Sequence, residues 1–124
     1  MSDRGYQPDF FALSEPVRDP ARRQAKAEKI RWVLNNFAPF DLADATCLDV
    51  GCSSGMMTAA LSSLFKTTYG LDFDALALAS IQPQHRDGVC YLRGDAMRMP
   101  LPDASVDVVI CAHVYEHVPD DTRL

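Results

Sequence analysis

From residue 46 onward, short apolar segments typical of strands alternate with segments whose apolar residues recur at helical spacing. The predicted strands cover Thr46–Val50, Thr67–Asp72, Val89–Arg93 and Val106–Ala112. Helices are predicted between them, over residues 54–65 and 75–81. Strands that alternate with helices in this way are joined by right-handed crossovers and form a parallel sheet. We therefore expect an α/β fold, an open parallel sheet with helices on both faces.

The residues before the first strand divide into an arm and a helix. Residues 1–18 contain prolines but no periodic apolar pattern, which predicts an irregular arm. A helix is predicted over 19–37, with Asp19 as its N-cap and Pro20 at its first position. Its apolar face is predicted to hold Ile30, Val33, Leu34 and Phe37. Its basic residues are expected to form a solvated face.

Composition narrows the class of protein. With 124 residues the chain fits one domain, expected over 19–124 with its sheet beginning at residue 46. Its 17 acidic and 12 basic residues give a net charge of -5, which does not suit binding to nucleic-acid phosphates. No apolar run approaches the roughly 20 residues of a membrane span, and the first residues lack a secretory signal. We expect a cytoplasmic protein with buried, reduced cysteines.

The most specific local feature is LDVGCSSG, residues 48–55, between the first strand and the following helix. A glycine turn lets a ligand approach the backbone, and the start of a helix presents free N–H groups. A tight turn without a ligand is the alternative. A dinucleotide fingerprint would need glycine at position 53 and glycine or alanine at position 56. This chain has Ser53 and Met56 there, so nicotinamide and flavin dinucleotides fit poorly.

Three segments resemble, in the right order, motifs of the class I S-adenosylmethionine-dependent methyltransferases, especially the small-molecule branch that includes quinone-biosynthesis enzymes. They are DVGCSSG at 49–55, YGLDFD at 69–74 and residues 91–118. The resemblance implies a Rossmann-like fold, of which this chain would be the N-terminal part. It also implies S-adenosylmethionine as cofactor and methyl transfer to a small-molecule acceptor. Ser53 departs from the pattern, since the family usually has glycine there.

The resemblance also implies the residues that contact the cofactor. Asp72 would accept hydrogen bonds from the ribose hydroxyls, and a carboxylate about 20 residues past the first glycine meets ribose in this architecture. The methionine part would lie against Asp49, Gly51, Cys52, Ser53 and Gly55. The adenine would lie against Phe73, Asp95, Ala96 and Met97, and His113 would lie close to the methyl group.

The sequence does not select a catalytic residue. His113, Glu116 and His117 are candidate bases at the end of the fourth strand. Their H-x-x-E-H spacing also resembles an inverted zinc-protease motif. That motif requires a helix and a third ligand downstream, so we expect no metal here.

The expected sheet order 3-2-1-4 leaves the fourth strand as an exposed edge, which favours pairing with another chain. We therefore expect a homo-oligomer through residues 106–112. The chain has material for four strands, whereas the resemblance implies a seven-stranded sheet. A non-catalytic S-adenosylmethionine-binding or interaction fragment is therefore the alternative to an active enzyme.

Overall fold

A computed structural model describes residues 20–102 and 104–112. Its strands are β1 (Thr46–Val50), β2 (Thr67–Asp72), β3 (Cys90–Arg93) and β4 (Val108–Ile110). Its helices are α1 (Pro20–Phe37), α2 (Met56–Ser62) and α3 (Ala75–Ala79), with single 3₁₀ turns at Leu42–Asp44 and Pro83–His85. The strands form one parallel sheet in the order β3-β2-β1-β4. The expected open parallel α/β sheet is confirmed, and so is its strand order.

The register of the sheet aligns the carboxyl ends of β1, β2 and β3 at one edge. Val50 pairs with Leu71 at the end of β1, and Asp72 pairs with Arg93 at the end of β2. Because all strands run in the same direction, the loops that follow them meet at this edge. It is the edge at which the sequence predicted the site.

Side chains of β1 alternate between two apolar clusters, one on each face of the sheet. The first cluster lies under α1 and α2 and contains Ala27, Leu42, Ala45, Cys47, Met57, Leu61, Phe65 and Ile110. The second contains Leu48, Val50, Leu71 and Ala96, with Tyr69, Leu92, Met99, Leu101, Val106 and Cys111 packed against them. Four members of the second cluster come from residues 96–106, so this non-helical segment covers the second face.

Several elements are shorter than expected. The helix expected over 54–65 spans Met56–Ser62, because Gly55 before it has a left-handed φ of 79° and cannot continue a helix. The helix expected over 75–81 ends at Ala79, where the Ser80 N–H donates to carbonyls of the last turn. The third strand begins at Cys90 instead of Val89. The fourth strand spans Val108–Ile110, the residues that pair with Cys47, Leu48 and Asp49 of β1.

Helix α1 buries only part of the expected apolar face, since Ile30 and Leu34 pack against the first cluster. Arg23 and Ala27 are buried, whereas Val33 is 49% and Phe37 is 69% exposed. Arg31 joins α1 to α2, because its Nη2 donates to the Ala60 carbonyl of α2 at 2.6 Å. The predicted start at Asp19 and the predicted arm over 1–18 lie outside the described residues.

The cysteines are free, as expected, but they are not all buried. Cys47 and Cys52 are buried in the described structure, whereas Cys90 is exposed. Cys90 begins β3, which is an edge strand and therefore has a neighbour on one side only. Among the described helices, none has the length and apolar character that a membrane crossing needs.

Gly70→Ala is expected to lower the free energy of unfolding by about 3 kcal/mol, the upper end of the range for overpacking. A Cβ at Gly70 would lie 2.7 Å from the Tyr91 ring and 3.2 Å from the Cys52 Cβ, so the neighbours would have to move. Gly88→Ala is the control, because a Cβ there meets nothing within 4 Å. Gly88→Ala should lower the free energy of unfolding by only about 1 kcal/mol, the strain of a side chain at a left-handed φ. Equal shifts of the urea midpoint would contradict the prediction.

Candidate functional site

The loop over residues 51–55, here called the glycine loop, joins β1 to α2. Gly51 and Gly55 adopt left-handed φ values of 80° and 79°, and Ser53 has a φ of 54°. The N–H groups of Gly51 and Cys52 both donate to the Leu71 carbonyl, at 2.7 and 3.0 Å. The glycine loop is therefore folded against the end of β2.

Asp72 is the last residue of β2 and forms hydrogen bonds with three parts of the site. Its Oδ2 accepts a hydrogen bond from the Ser53 N–H at 2.7 Å, and its Oδ1 accepts one from the Asp74 N–H at 2.8 Å. Its backbone carbonyl accepts one from the Gly94 N–H at 3.0 Å. Burial raises the pKa of the Asp72 carboxyl, and the two N–H donors act in the opposite direction.

A second carboxylate, Asp49, is completely enclosed at the end of β1, with 1% of its surface exposed. Thr58 of α2 donates its hydroxyl to Asp49 Oδ2 at 2.6 Å. Asp49 Oδ1 has no hydrogen-bond partner in the described part of the chain. Burial raises the pKa of Asp49 to about 6, while the Thr58 hydrogen bond and the charge of Arg23 lower it.

The segment after β3 brings the remaining predicted residues to the same edge. Asp95 forms a tight turn, in which its Oδ1 accepts from the Met97 N–H at 2.9 Å. Ala96 is buried against the second-face cluster. Beside them, the guanidinium of Arg93 lies 5.7 Å from the centre of the Phe73 ring, and its Nε donates to the Phe73 carbonyl at 3.1 Å.

Ten of the eleven predicted cofactor residues thus lie near the carboxyl ends of β1 and β2 or in the loops after β1, β2 and β3, although they are spread over 49 positions of the sequence from 49 to 97. The eleventh, His113, lies outside the described residues, as do Glu116 and His117. Cys52 differs from the others because its thiol is buried, and burial raises its pKa far above the ordinary value. Its side chain packs toward Gly70 of β2.

Three residues of this region were not predicted as part of it. Thr58 lies nine positions after Asp49, on the helix, and no motif marks it. Tyr91 donates its hydroxyl to the His85 carbonyl at 2.6 Å and lies 3.4 Å from the Gly55 carbonyl. Arg23 was expected on a solvated face but is 9% exposed. The one available signal was its spacing from the small residue Ala27, which lies on the same face of α1.

Comparison with known proteins identifies the family. The family model described as "Methyltransferase domain" matches residues 48–124, more than half of the chain. The chain belongs to this family. A probable S-adenosylmethionine-dependent methyltransferase of Mycolicibacterium smegmatis is 33% identical over 76 residues, covering 61% of this chain and 29% of that protein. The ubiquinone biosynthesis O-methyltransferase of Pseudomonas fluorescens is 34% identical over 101 residues, covering 77% of this chain and 42% of that protein.

A solved structure supports the fold independently. The YcgJ protein of Bacillus subtilis superposes with a TM-score of 0.67 at 21% identity, over 77% of this chain and 42% of its own. This likeness confirms the Rossmann-like class I methyltransferase fold. The chain spans less than half the length of these three proteins.

The site has the polar character that S-adenosylmethionine, the family's cofactor, requires. Four buried polar atoms around the glycine loop have no hydrogen-bond partner among the described residues: Arg23 Nε, Asp49 Oδ1, Ser53 Oγ and Ser54 Oγ. Buried polar atoms are normally paired, so this group of atoms suits a polar ligand. The set combines donors with a carboxylate acceptor, which fits a ligand that carries hydroxyl, carboxylate and ammonium groups.

Asp49→Asn is expected to stabilise the folded protein at pH 7 but not at pH 4. The unfolded chain releases the Asp49 proton near 3.8, whereas the folded chain releases it at about 6. Raising the pH through this window therefore removes stability from the wild type, by up to about 3 kcal/mol. The measurement is the free energy of urea unfolding of both proteins at the two pH values. The prediction would be refuted if the two proteins differed in free energy of unfolding by the same amount at pH 4 and at pH 7.

Proposed function

We propose that this domain binds S-adenosylmethionine where the loops after β1, β2 and β3 meet, and serves methyl transfer to a small-molecule acceptor. The observation that carries the proposal is the Asp72 carboxylate. Each of its oxygens accepts one backbone N–H, which leaves each with a further lone pair for a hydroxyl donor. Two vicinal hydroxyls, as ribose has, suit such an acceptor pair.

The other residues take roles that their surroundings support. Asp49 and the glycine loop, through Gly51, Cys52, Ser53 and Gly55, would hold the methionine part. Asp49 is the acceptor for its ammonium group, since Oδ1 is unpaired. The Phe73 ring, half-buried beside the turn at Asp95, Ala96 and Met97, would pack on the adenine.

For methyl transfer, the main task of the protein is to align the acceptor with the methyl group. The bound cofactor supplies a methyl group on a positively charged sulfur, whose bond breaks as an acceptor lone pair forms a bond to that carbon. Residues of this chain would hold acceptor and methyl in line and exclude water. A base is needed only where the acceptor must lose a proton. His113, Glu116 and His117 stay the candidates for that role.

The relative from Pseudomonas fluorescens supports a small-molecule acceptor, because that protein is an O-methyltransferase of ubiquinone biosynthesis. The acidic net charge of -5 argues against a nucleic-acid acceptor. The cytoplasmic location remains an expectation from the sequence. The alternative function is a non-catalytic S-adenosylmethionine-binding or interaction module of this family.

Asp72→Ala is expected to abolish binding of S-adenosylhomocysteine, the demethylated product, in calorimetric titrations at pH 7.5. Micromolar affinity for the wild type would support the proposal, and its absence would oppose it. Asp74→Ala is the matched control, because Asp74 is an acid two residues after Asp72 and its carboxylate caps α3 through the N–H groups of Leu76 and Ala77. It should cost about 1 kcal/mol of stability and leave the affinity unchanged.

The outer edge of β4 supports the expected self-association. Within the described sheet β4 is an edge strand, and Val109 at its centre is 54% exposed. Val109→Lys should convert associated chains to monomers in light scattering, since an edge lysine opposes strand pairing. Leu76→Lys, a matched substitution at a 51% exposed site on α3, should leave association unchanged. A wild-type chain that is monomeric at high concentration would contradict the prediction.

A further inference from the structure

Helix α1 carries charge of the opposite sign to the chain as a whole. It contains five basic residues and one acidic residue, whereas the chain has a net charge of -5. Arg22, Lys26 and Lys29 follow one another at spacings of four and three residues, so they lie on one face of the helix. Arg22 and Lys29 are exposed, and Lys26 is half-buried. These three residues form a basic strip on an otherwise acidic protein.

The acidic residue of α1 lies on a different flank of the helix. Glu28 accepts a hydrogen bond from Gln24 Nε2 at 3.0 Å, and its carboxylate lies 3.6 Å from Arg31 Nε. Gln24 and Arg31 are four residues before and three residues after Glu28, so all three share one flank. The negative charge is therefore held away from the basic strip.

The second half of α1 exposes large apolar side chains, here called the aromatic patch: Trp32, Val33, Phe37 and, just after the helix, Phe40. Trp32 is 61% exposed, and its ring meets that of Phe37 edge to face, with centres 5.9 Å apart. Val33 lies four residues after Lys29, so it continues the face of the basic strip. A contiguous exposed apolar patch beside charged residues is typical of an interaction surface.

The combination of strip and patch favours an anionic lipid surface as the partner. Lysine and arginine are attracted to acidic headgroups, and aromatic rings insert at the boundary between headgroups and acyl chains. A second copy of this chain would bring a second basic strip, and like charges repel. Protein interfaces are depleted in lysine, and a nucleic-acid backbone would leave the aromatic patch in water.

We propose that the exposed face of α1 is a docking surface for membranes rich in anionic lipid. The basic strip lies against the headgroups, the aromatic patch inserts among them, and the helix lies in the plane of the surface, as interfacial helices do. This inference does not rest on the proposed function, because neither the strip nor the patch belongs to the loops of the candidate site.

Trp32 is the only tryptophan of the chain, so its fluorescence reports contact with lipid directly. The full 124-residue chain is titrated with vesicles of phosphatidylcholine and phosphatidylglycerol in equal parts. At low salt the Trp32 emission should shift to shorter wavelength and be quenched by brominated acyl chains, because the ring leaves water. Vesicles of phosphatidylcholine alone should produce neither effect. Salt at about 0.5 M should weaken the binding, because it screens the charges.

A charge reversal tests the basic strip. Lys29→Glu should weaken binding to the anionic vesicles at least tenfold, because each basic side chain near such a surface contributes about fivefold and the new carboxylate is repelled. Arg98→Glu is the matched control. Arg98 is exposed in the segment that covers the opposite face of the sheet, so the same change of charge there should leave the affinity nearly unchanged.

A polar substitution tests the aromatic patch and keeps the Trp32 reporter. Phe37→Ser should weaken binding at least tenfold, because an aromatic ring no longer leaves water. Leu76→Ser, at a 51% exposed site on α3, is its matched control and should bind as the wild type does. Phe37 and Lys29 are both exposed, so each variant should keep the fold, which its Tm checks.

The outcomes separate the partners. Quenching of Trp32 by anionic vesicles that is lost in Lys29→Glu and Phe37→Ser supports the proposal. Absence of vesicle binding at low salt overturns it, and so does binding that both variants retain. An emission shift with polyglutamate instead of vesicles assigns the face to an acidic protein, and a shift with protein concentration alone assigns it to a second copy; either result overturns the proposal. Titration with S-adenosylhomocysteine should be unchanged in both variants, so a failure here leaves the proposed function intact.

Discussion

The shape of the site depends on the contact between the glycine loop and the end of β2. Leu71 accepts two N–H groups of the loop through its carbonyl, and Asp72 accepts a third through its side chain. These bonds join residues that are about 20 positions apart, so they exist only when β1 and β2 are paired in register. A shift of that register would separate the carboxylate from the loop.

Burial raises the pKa of both acids of the site, but their hydrogen-bond donors differ. Asp72 is surrounded by backbone donors that favour its charged form, whereas Asp49 has one hydroxyl donor and little solvent. Two effects make ionisation of Asp49 unfavourable. The protein interior excludes water from its carboxylate, and the negative charge of Asp72 repels it. A cationic group from a ligand would oppose both effects, so the site favours a ligand with positive charge.

Much of this arrangement could be predicted, because it depends on local patterns. The bounds of β1 and β2 agree with the expected ones, since β-branched and apolar residues flanked by turn residues mark them clearly. The grouping of Asp49, Asp72 and Asp95 follows from parallel strands alone. The burial of Arg23 could not be predicted, because a basic residue among other basic residues indicates a solvated face. Its burial depends on how α1 rotates against α2, and that is a tertiary contact.

Tyr91 links the site to the outermost strand. Its ring occupies the space over Gly70 where a side chain would otherwise lie, and its hydroxyl contacts the Gly55 carbonyl from 36 positions away. The final shape of the glycine loop therefore depends on the docking of β3. The same linkage works in reverse. A ligand that binds only the finished loop stabilises the docked edge strand by mass action, so occupancy of the site and completion of the sheet are a single equilibrium.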